Sequence, residues 1–442
     1  SIFMKTSDNF DESKLYELNA KIPLSKAFPF GLQHILAMFV ANIAPIMIVA
    51  GVIGLDSQTM AMLVQSAMLI AGIGTIIQLY PVWKIGSGLP IVMGISFTFV
   101  SIYCIIGAQY GYGVVLGAVL VGGLIEGCLG LLAKYWTKII SPIVSACVVT
   151  AIGFSLLSVG ADSFGGGSSN ADFGSSANIL VGTITLVSCI LFNIFAKKFY
   201  KQLSILFGLI VGYIVALCMG IVDFSGLENA SIIAIPDILA VKPEFNLHAI
   251  ISVTLIYLVS ATETIGDTEA LATVAFKRKA TAKEIEGSIA CDGFISALSS
   301  LFGNISITSF SQNIGLVALT GVINKFAIFT GACIMILAGF FPIIGQLIAT
   351  LPSCVLGGCT IMMFGSIVVT GFKMIAGTGF SERNVTITAL SLSIGIGFTQ
   401  VPEIFNSLPD IFINVFAENC VAVVFLVAVI LNLLLPKEQT KN

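Results

Sequence analysis

Charge is what this sequence has least of. Asp, Glu, Lys and Arg make up 10% of its 442 residues, against about 25% in soluble domains. Hydrophobic residues make up 57%, and the mean hydropathy is +1.04. A soluble globular protein is excluded. Cys-x-x-Cys pairs and Cys/His clusters are also missing, so the ten cysteines, among them Cys104, Cys147, Cys291 and Cys354, read as small residues inside apolar runs and not as disulfides or metal ligands. No nucleophile-base pair, phosphate loop or soluble domain is recognisable, so neither an enzyme nor a cofactor is expected. The net charge of -3 gives no pointer to nucleic acid, and no such partner is expected. The first 28 residues are polar and carry Lys5, Lys14, Lys21 and Lys26, which argues against a cleavable signal peptide.

What is present is a succession of apolar runs, each long enough to cross about 30 Å of hydrocarbon as a helix. Fourteen segments are expected, at 30-54, 59-81, 89-107, 113-133, 139-160, 177-196, 203-222, 247-274, 284-302, 304-321, 326-350, 353-372, 385-402 and 415-435. Charge supports an even number near this. With both termini cytoplasmic, all of the 20 Lys and Arg residues except Lys242 fall in loops on one side, as the positive-inside rule requires. The expected setting is an all-α integral membrane protein of a plasma (inner) membrane, and the short termini lean toward a bacterial source.

Two stretches echo each other. Residues 90-99 (PIVMGISFTF) and 305-315 (ISITSFSQNIG) both start with β-branched residues, pass through Ser-Phe, and enter a helix-compatible run. Pro142 and Pro352 repeat the match further along. Seven expected spans separate the members of each pair, so the halves form an inverted repeat, the architecture of secondary transporters with a midplane substrate site. Short strands are therefore expected in spans 3 and 10, with half-helices starting near Phe97 and Ser311 whose positive ends aim at one point. Unpaired backbone at that depth is tolerated only inside protein or beside a cavity. The polar run Thr308 to Asn313 can satisfy such groups or face a solute.

Span eight carries Glu263 and Asp267, four residues apart and so on one helical face. Counting back from Lys277 puts Glu263 roughly 21 Å into the membrane, and counting from Lys283 puts Asp292 about 13 Å deep. Intramembrane acids are functional candidates by default. Repulsion and desolvation favour the neutral acid, so at least one of the pair is expected to carry a proton near neutral pH, as a proton-coupled carrier requires. His34 can join these carboxylates or satisfy a helix contact. Glu269 points to another face. Glu126 and Glu418, alone and nearer span ends, read as acids hydrogen-bonded to a neighbouring helix.

With these residues in view the chain resembles the nucleobase-ascorbate transporter family along its whole length. The signature is Gln312, Asn313, Ile314, Gly315 and then Thr320. Gln33-His34, Gly94-x-Ser96-Phe97, Glu263-x-x-x-Asp267 and Asp292 add to it. The resemblance implies fourteen spans in two inverted repeats. Residues 29-135 and 247-350 would form a core domain (spans 1-4 and 8-11), and residues 136-222 and 351-436 a gate domain (spans 5-7 and 12-14). Residues 1-28 would be a cytoplasmic segment. It further implies an elevator-like movement of core against gate and a homodimer joined through the gate domain. In similar transporters Glu263 and Gln312 would bind the base edge and Phe310 would stack on the ring. Phe97 and Ser311, with Ser96 beside them, would complete the site, and Asp267, Asp292, His34 and Asn313 would support it or couple it to protons.

Uracil carriers of the family resemble one another in carrying Glu at the position of Gln312 and His at that of Asp267, and ascorbate carriers tend to have Pro at Gln312. The Gln and Asp found here are those of xanthine and uric acid carriers. An amide both donates and accepts, which suits an N-H next to a C=O. Lys325 departs from the Arg of close purine carriers. The expected function is import of purine bases, xanthine or uric acid, by proton symport across the bilayer. A uracil symporter and an anion exchanger or channel of the same fold are the alternatives. The last is disfavoured by Glu263 and by the lack of an intramembrane Lys or Arg.

Overall fold

In hydrocarbon a chain must satisfy its own backbone polar groups, and the apolar runs do so as helices. The computed structural model describes residues 10-229 and 231-438. Lys5, Lys441 and the first nine residues of the expected N-terminal segment lie outside them. In chain order the elements are α1 (Leu24–Ile53), α2 (Ser57–Leu79), strand β1 (Met93–Ile95), α3 (Val100–Tyr110), α4 (Tyr112–Leu131) and α5 (Ala133–Trp136). Next come α6 (Pro142–Phe164), α7 (Ser176–Phe195), α8 (Phe199–Gln202) and α9 (Ser204–Cys218). The second half contains α10 (Leu247–Phe276), α11 (Ala282–Leu301), strand β2 (Ile307–Ser309), α12 (Ser311–Thr320), α13 (Lys325–Ala338) and α14 (Pro342–Ala349). It closes with α15 (Ser353–Thr378), α16 (Glu382–Leu392), α17 (Phe398–Gln400), α18 (Asp410–Phe416) and α19 (Cys420–Leu434).

Local chemistry sets several of these boundaries. Pro142 occupies the first turn of α6, where its missing N-H costs nothing, and Pro352 is the N-cap of α15. Asp56 caps α2 by accepting the Thr59 N-H at 2.7 Å. Thr281 and Glu284 form a capping box on α11, and Arg278 pairs with Glu284 at 2.8 Å, the one ion pair among the described residues. All ten cysteines are free.

The site is positioned by a strand pair buried among the helices. β1 and β2 run antiparallel in the register Met93 to Ser309, Gly94 to Thr308 and Ile95 to Ile307. So short a ladder leaves edge groups open, and helix side chains close them. Asn42 of α1 accepts the Ile95 N-H at 2.9 Å, Thr75 of α2 accepts the Met93 N-H at 3.0 Å, and Ser296 of α11 accepts the Ile307 N-H at 3.0 Å. Beyond the ladder, Ser96 N-H donates to the Ser306 carbonyl and Phe310 N-H to the Val92 carbonyl, both at 2.9 Å. Each of those groups left bare would cost about 1-3 kcal/mol.

Small residues let the remaining helices approach closely. At the α6/α15 contact a Cβ added at Gly153 would fall 2.6 Å from the Val368 nitrogen, so the two helices meet at backbone distance. Seven described helices are long and apolar enough to cross a membrane, or nine if each of two bent pairs counts as one span. Those bends depart from the expected segments. α13 ends at Ala338 and α14 leaves it at 81°, so residues 326-350 are not one straight span. Pro342 starts the new direction as the N1 residue of α14. α18 and α19 meet at 106°, and a π-helical turn at Ser393–Gly397 interrupts the segment that begins with α16. The first half-helix also starts later than expected, at Val100 instead of near Phe97, whereas α12 starts at Ser311.

Candidate functional site

Where the strand pair ends, a cavity of about 560 Å³ opens. One wall comes from Ser96, Phe97 and Thr98 after β1, from Glu263, Gly266 and Asp267 of α10, and from Thr308 to Gln312 at the junction of β2 and α12. The opposite wall is mainly apolar, with Val148, Val149 and Ile152 of α6 and Met363 and Ile367 of α15. No Lys or Arg lines it among the described residues.

The carboxylates are held by hydroxyls, not by cations. The Thr98 hydroxyl donates to Glu263 Oε1, and Oε2 of Glu263 has no donor among the described residues. Asp267 accepts from Ser309 at 2.9 Å and from Ser311 at 2.8 Å, one hydroxyl on each oxygen. This ties α10 to both sides of the β2/α12 junction. Asp292 is fully buried in α11 and does not line the cavity. Its Oδ2 accepts from Thr264 of α10 and, at 3.4 Å, from Thr308 of β2. Like Asp292, His34 and Asn313 lie off the cavity, where the Asn313 amide meets His34 Nδ1 and donates to the His34 carbonyl, both at 3.0 Å. His34 therefore joins α1 to α12 and bonds no carboxylate among the described residues.

Gln312 is exposed in the first turn of α12, where side chains and unpaired helix N-H groups face the same space. Phe310, only 4% exposed, lays its ring across Gly94 of β1. A Cβ there would come 2.4 Å from Phe310 Cζ. Only glycine lets the ring lie that close. Phe97 packs edge-on against Phe364 of α15, with centroids 5.4 Å apart.

Ser96, Phe97, Glu263, Asp267, Phe310, Ser311 and Gln312 thus share one cavity, while Asp292, His34 and Asn313 form a layer behind it. Thr98 was missed, although it directly follows Ser96-Phe97 and its hydroxyl is the first one after that pair. Asn42, Thr75 and Ser296 were missed too. Each is flanked on both sides by apolar or glycine residues, and nothing in its own neighbourhood announces a partner.

Two further spaces adjoin the cavity. One of about 270 Å³ shares Ile205, Gln312, Met363 and Ser366 with it and is lined by Asn193, Lys201 and Gln202. On the other side, past Thr98, a space of only about 10 Å³ is bounded by Ile102, Ser155, Ile256 and Val421 and leads to Glu418. Glu418 is exposed there and makes no helix-to-helix hydrogen bond among the described residues.

Paired short strands, broken helices and a cavity with carboxylates on one wall suit a membrane transporter. Its fold is shared with the transmembrane domain of a cyanobacterial bicarbonate transporter, BicA, at a TM-score of 0.60 and 15% identity over 92% of this chain and 100% of that one. Murine Slc26a9, an anion transporter in the inward-facing state, matches at a TM-score of 0.67 and 12% identity over 97% of this chain and 72% of that one. Such low identities establish fold alone. In sequence, residues 25–404 match the permease family Xan_ur_permease. The xanthine permease XanQ of Escherichia coli K12 is 35% identical over 438 residues, 96% of this chain and 94% of XanQ. The uric acid permease PucK of Bacillus subtilis 168 is 35% identical over 384 residues, 86% of this chain and 88% of PucK. The chain belongs to this permease family, the nucleobase-ascorbate transporters. It is a transporter and not an enzyme.

Proposed function

We propose that the protein imports a purine base, xanthine or uric acid, in symport with protons, and that the base binds in the 560 Å³ cavity. The carrying observation is the juxtaposition of Glu263, Gln312 and Phe310 on one wall. A xanthine or urate ring has adjacent N-H and C=O groups on its edge and an aromatic face. Gln312 supplies one donor and one acceptor, the Glu263 oxygen left free by Thr98 accepts a ring N-H, and Phe310 offers an aromatic surface. The relatives described as xanthine and uric acid permeases favour the same substrates. A uracil symporter is the second candidate, and Gln312 and Asp267 count against it, as they did in the sequence.

An anion exchanger would share the fold, but the cavity presents two carboxylates and no cation. Coupling is assigned to Asp267 and Asp292, with His34 and Asn313 as support. In this reading residues 29-135 and 247-350 move as a core domain against a gate domain of residues 136-222 and 351-436. Two copies pair through the gate in the inner membrane, with fourteen segments in two inverted repeats and both termini cytoplasmic. The wider space beside Lys201 would then face the cytoplasm, and the narrow neck below Glu418 would be the closed outer path. Uptake of labelled xanthine by cells expressing the protein, competed with uric acid, uracil and sulfate, tests the assignment. Competition by uric acid but not by sulfate is expected. Sulfate competition, or uracil outcompeting both purines, would overturn it.

A further inference from the structure

A second buried acid off the cavity, besides Asp292, is Glu126, in the seam between α4 and α11. The helices touch there backbone to backbone. A Cβ added at Gly293 would fall 2.0 Å from the Gly127 nitrogen, and one at Gly130 would fall 2.4 Å from the Ala290 nitrogen. Glu126 faces this seam with 1% of its surface exposed, while the preceding Leu124 and Ile125 turn outward at 45% and 38%. The sequence suggested an acid hydrogen-bonded to a neighbouring helix. Among the described residues neither Glu126 oxygen has a hydrogen-bond partner, so a bond of that kind needs a proton on the acid itself. Asp292 Oδ1, on the facing helix, has none either, and nor does Thr254 Oγ1 of α10.

The groups that act on Glu126 are all acidic or neutral. Asp292 of α11 and Glu263 of α10 are its acidic neighbours, and Tyr257 of α10 lies close by. Tyr257 and Tyr103 of α3 both pair with Ser306, and Glu244 packs at the far end of α4 against Gly113. No basic side chain faces the seam among the described residues; the one ion pair, Arg278 with Glu284, is elsewhere. A bare carboxylate without donor or cation would cost several kcal/mol, and two like charges across one seam oppose each other further. Glu126 therefore stands as the neutral acid, whose O-H needs an acceptor. Asp292 Oδ1 is the open acceptor on the facing helix.

We propose that Glu126 holds a proton in the α4/α11 seam and shares it with Asp292 Oδ1, so that the pair, and not Asp292 alone, is the protonation unit behind the transport site. As the O-H bond on Glu126 breaks, the O-H on Asp292 forms, and the negative charge passes to Glu126. Asp292 is joined to the cavity through Thr308, which lines it. Only the link to transport rests on the proton-symport reading. The proton-sharing pair stands on the seam itself.

The test is infrared spectroscopy of the purified full-length protein in lipid across a pH titration, for wild type, Glu126→Gln and Asp292→Asn. Wild type should show the C=O stretch of a buried protonated carboxyl that vanishes in Glu126→Gln, and its titration midpoint should shift in Asp292→Asn. A band absent from wild type, or a midpoint indifferent to Asp292→Asn, overturns the proposal. Proteoliposome uptake is the second arm. Glu126→Gln, which keeps the shape of the neutral acid, should still bind xanthine but lose the acid-stimulated part of uptake. If wild type itself takes up no purine with protons, the functional reading fails while the infrared result still decides the pair. If wild type is proton-driven and Glu126→Gln keeps an identical pH profile, the link to transport fails.

Discussion

The two strand-helix limbs begin alike and end differently. Limb one, β1 with α3, puts Gly94 under a ring, Ser96 on a backbone carbonyl and Phe99 fully inside the core before its helix starts at Val100. Limb two, β2 with α12, starts its helix at once and keeps Ser311 and Gln312 exposed to the cavity. Each strand pairs with the other, so neither limb holds its shape alone. Under the proposed function the difference is a division of labour, with limb one as the platform and limb two carrying the groups proposed to recognise the base. Thr98 is the exception, reaching from limb one to Glu263.

The sharpest break is at the residue where the limbs meet α10. Glu263→Gln removes the acceptor proposed for the ring N-H and turns the Thr98 contact into one with an amide, so xanthine binding should be abolished in an equilibrium binding assay on purified protein. Binding retained within a few fold would take Glu263 out of the site. Next comes the ring that bridges the limbs. Phe310→Ala should weaken xanthine binding by about 1-3 kcal/mol, roughly 5- to 150-fold, while Phe310→Tyr keeps most of it. Gly94→Ala, on the other limb, should mimic Phe310→Ala because its Cβ collides with the ring. Equal loss in the Tyr variant would mean the ring only packs against protein.

Smaller changes separate recognition from support. Gln312→Glu should cost xanthine about 1-3 kcal/mol through one unmatched buried group, with melting temperature unchanged. Asn42→Ala, which strips the acceptor from the Ile95 N-H, should do the reverse and lower thermal stability by about 1-3 kcal/mol with little change in competition among bases. A specificity change in Asn42→Ala with stability intact would dissolve the distinction between the limbs.

How much of this was legible depended on whether the signal lay within one segment. Thr308 to Asn313 stood out because polar residues in an apolar context are costly, and both strands were expected where they occur. Glu263 and Asp267 could be placed on one face because helix periodicity is local. The turn between α13 and α14 was not visible, since hydropathy reports how apolar a run is and not its direction; Pro342 was the one available signal. The silent partners were hidden for a related reason. Asn42, Thr75 and Ser296 each act on a strand outside their own helix, and Glu126 gains its meaning only from Asp292 on another helix.

The central claim is that a purine and a proton cross together through this cavity, and purified protein in sealed liposomes tests it most directly. An imposed proton gradient, acid outside, should drive labelled xanthine above its external concentration in wild type, and a protonophore should collapse the accumulation. Asp267→Asn should bind xanthine yet fail to concentrate it. Accumulation driven by a sodium gradient alone, or undiminished accumulation in Asp267→Asn together with Asp292→Asn, would contradict the account.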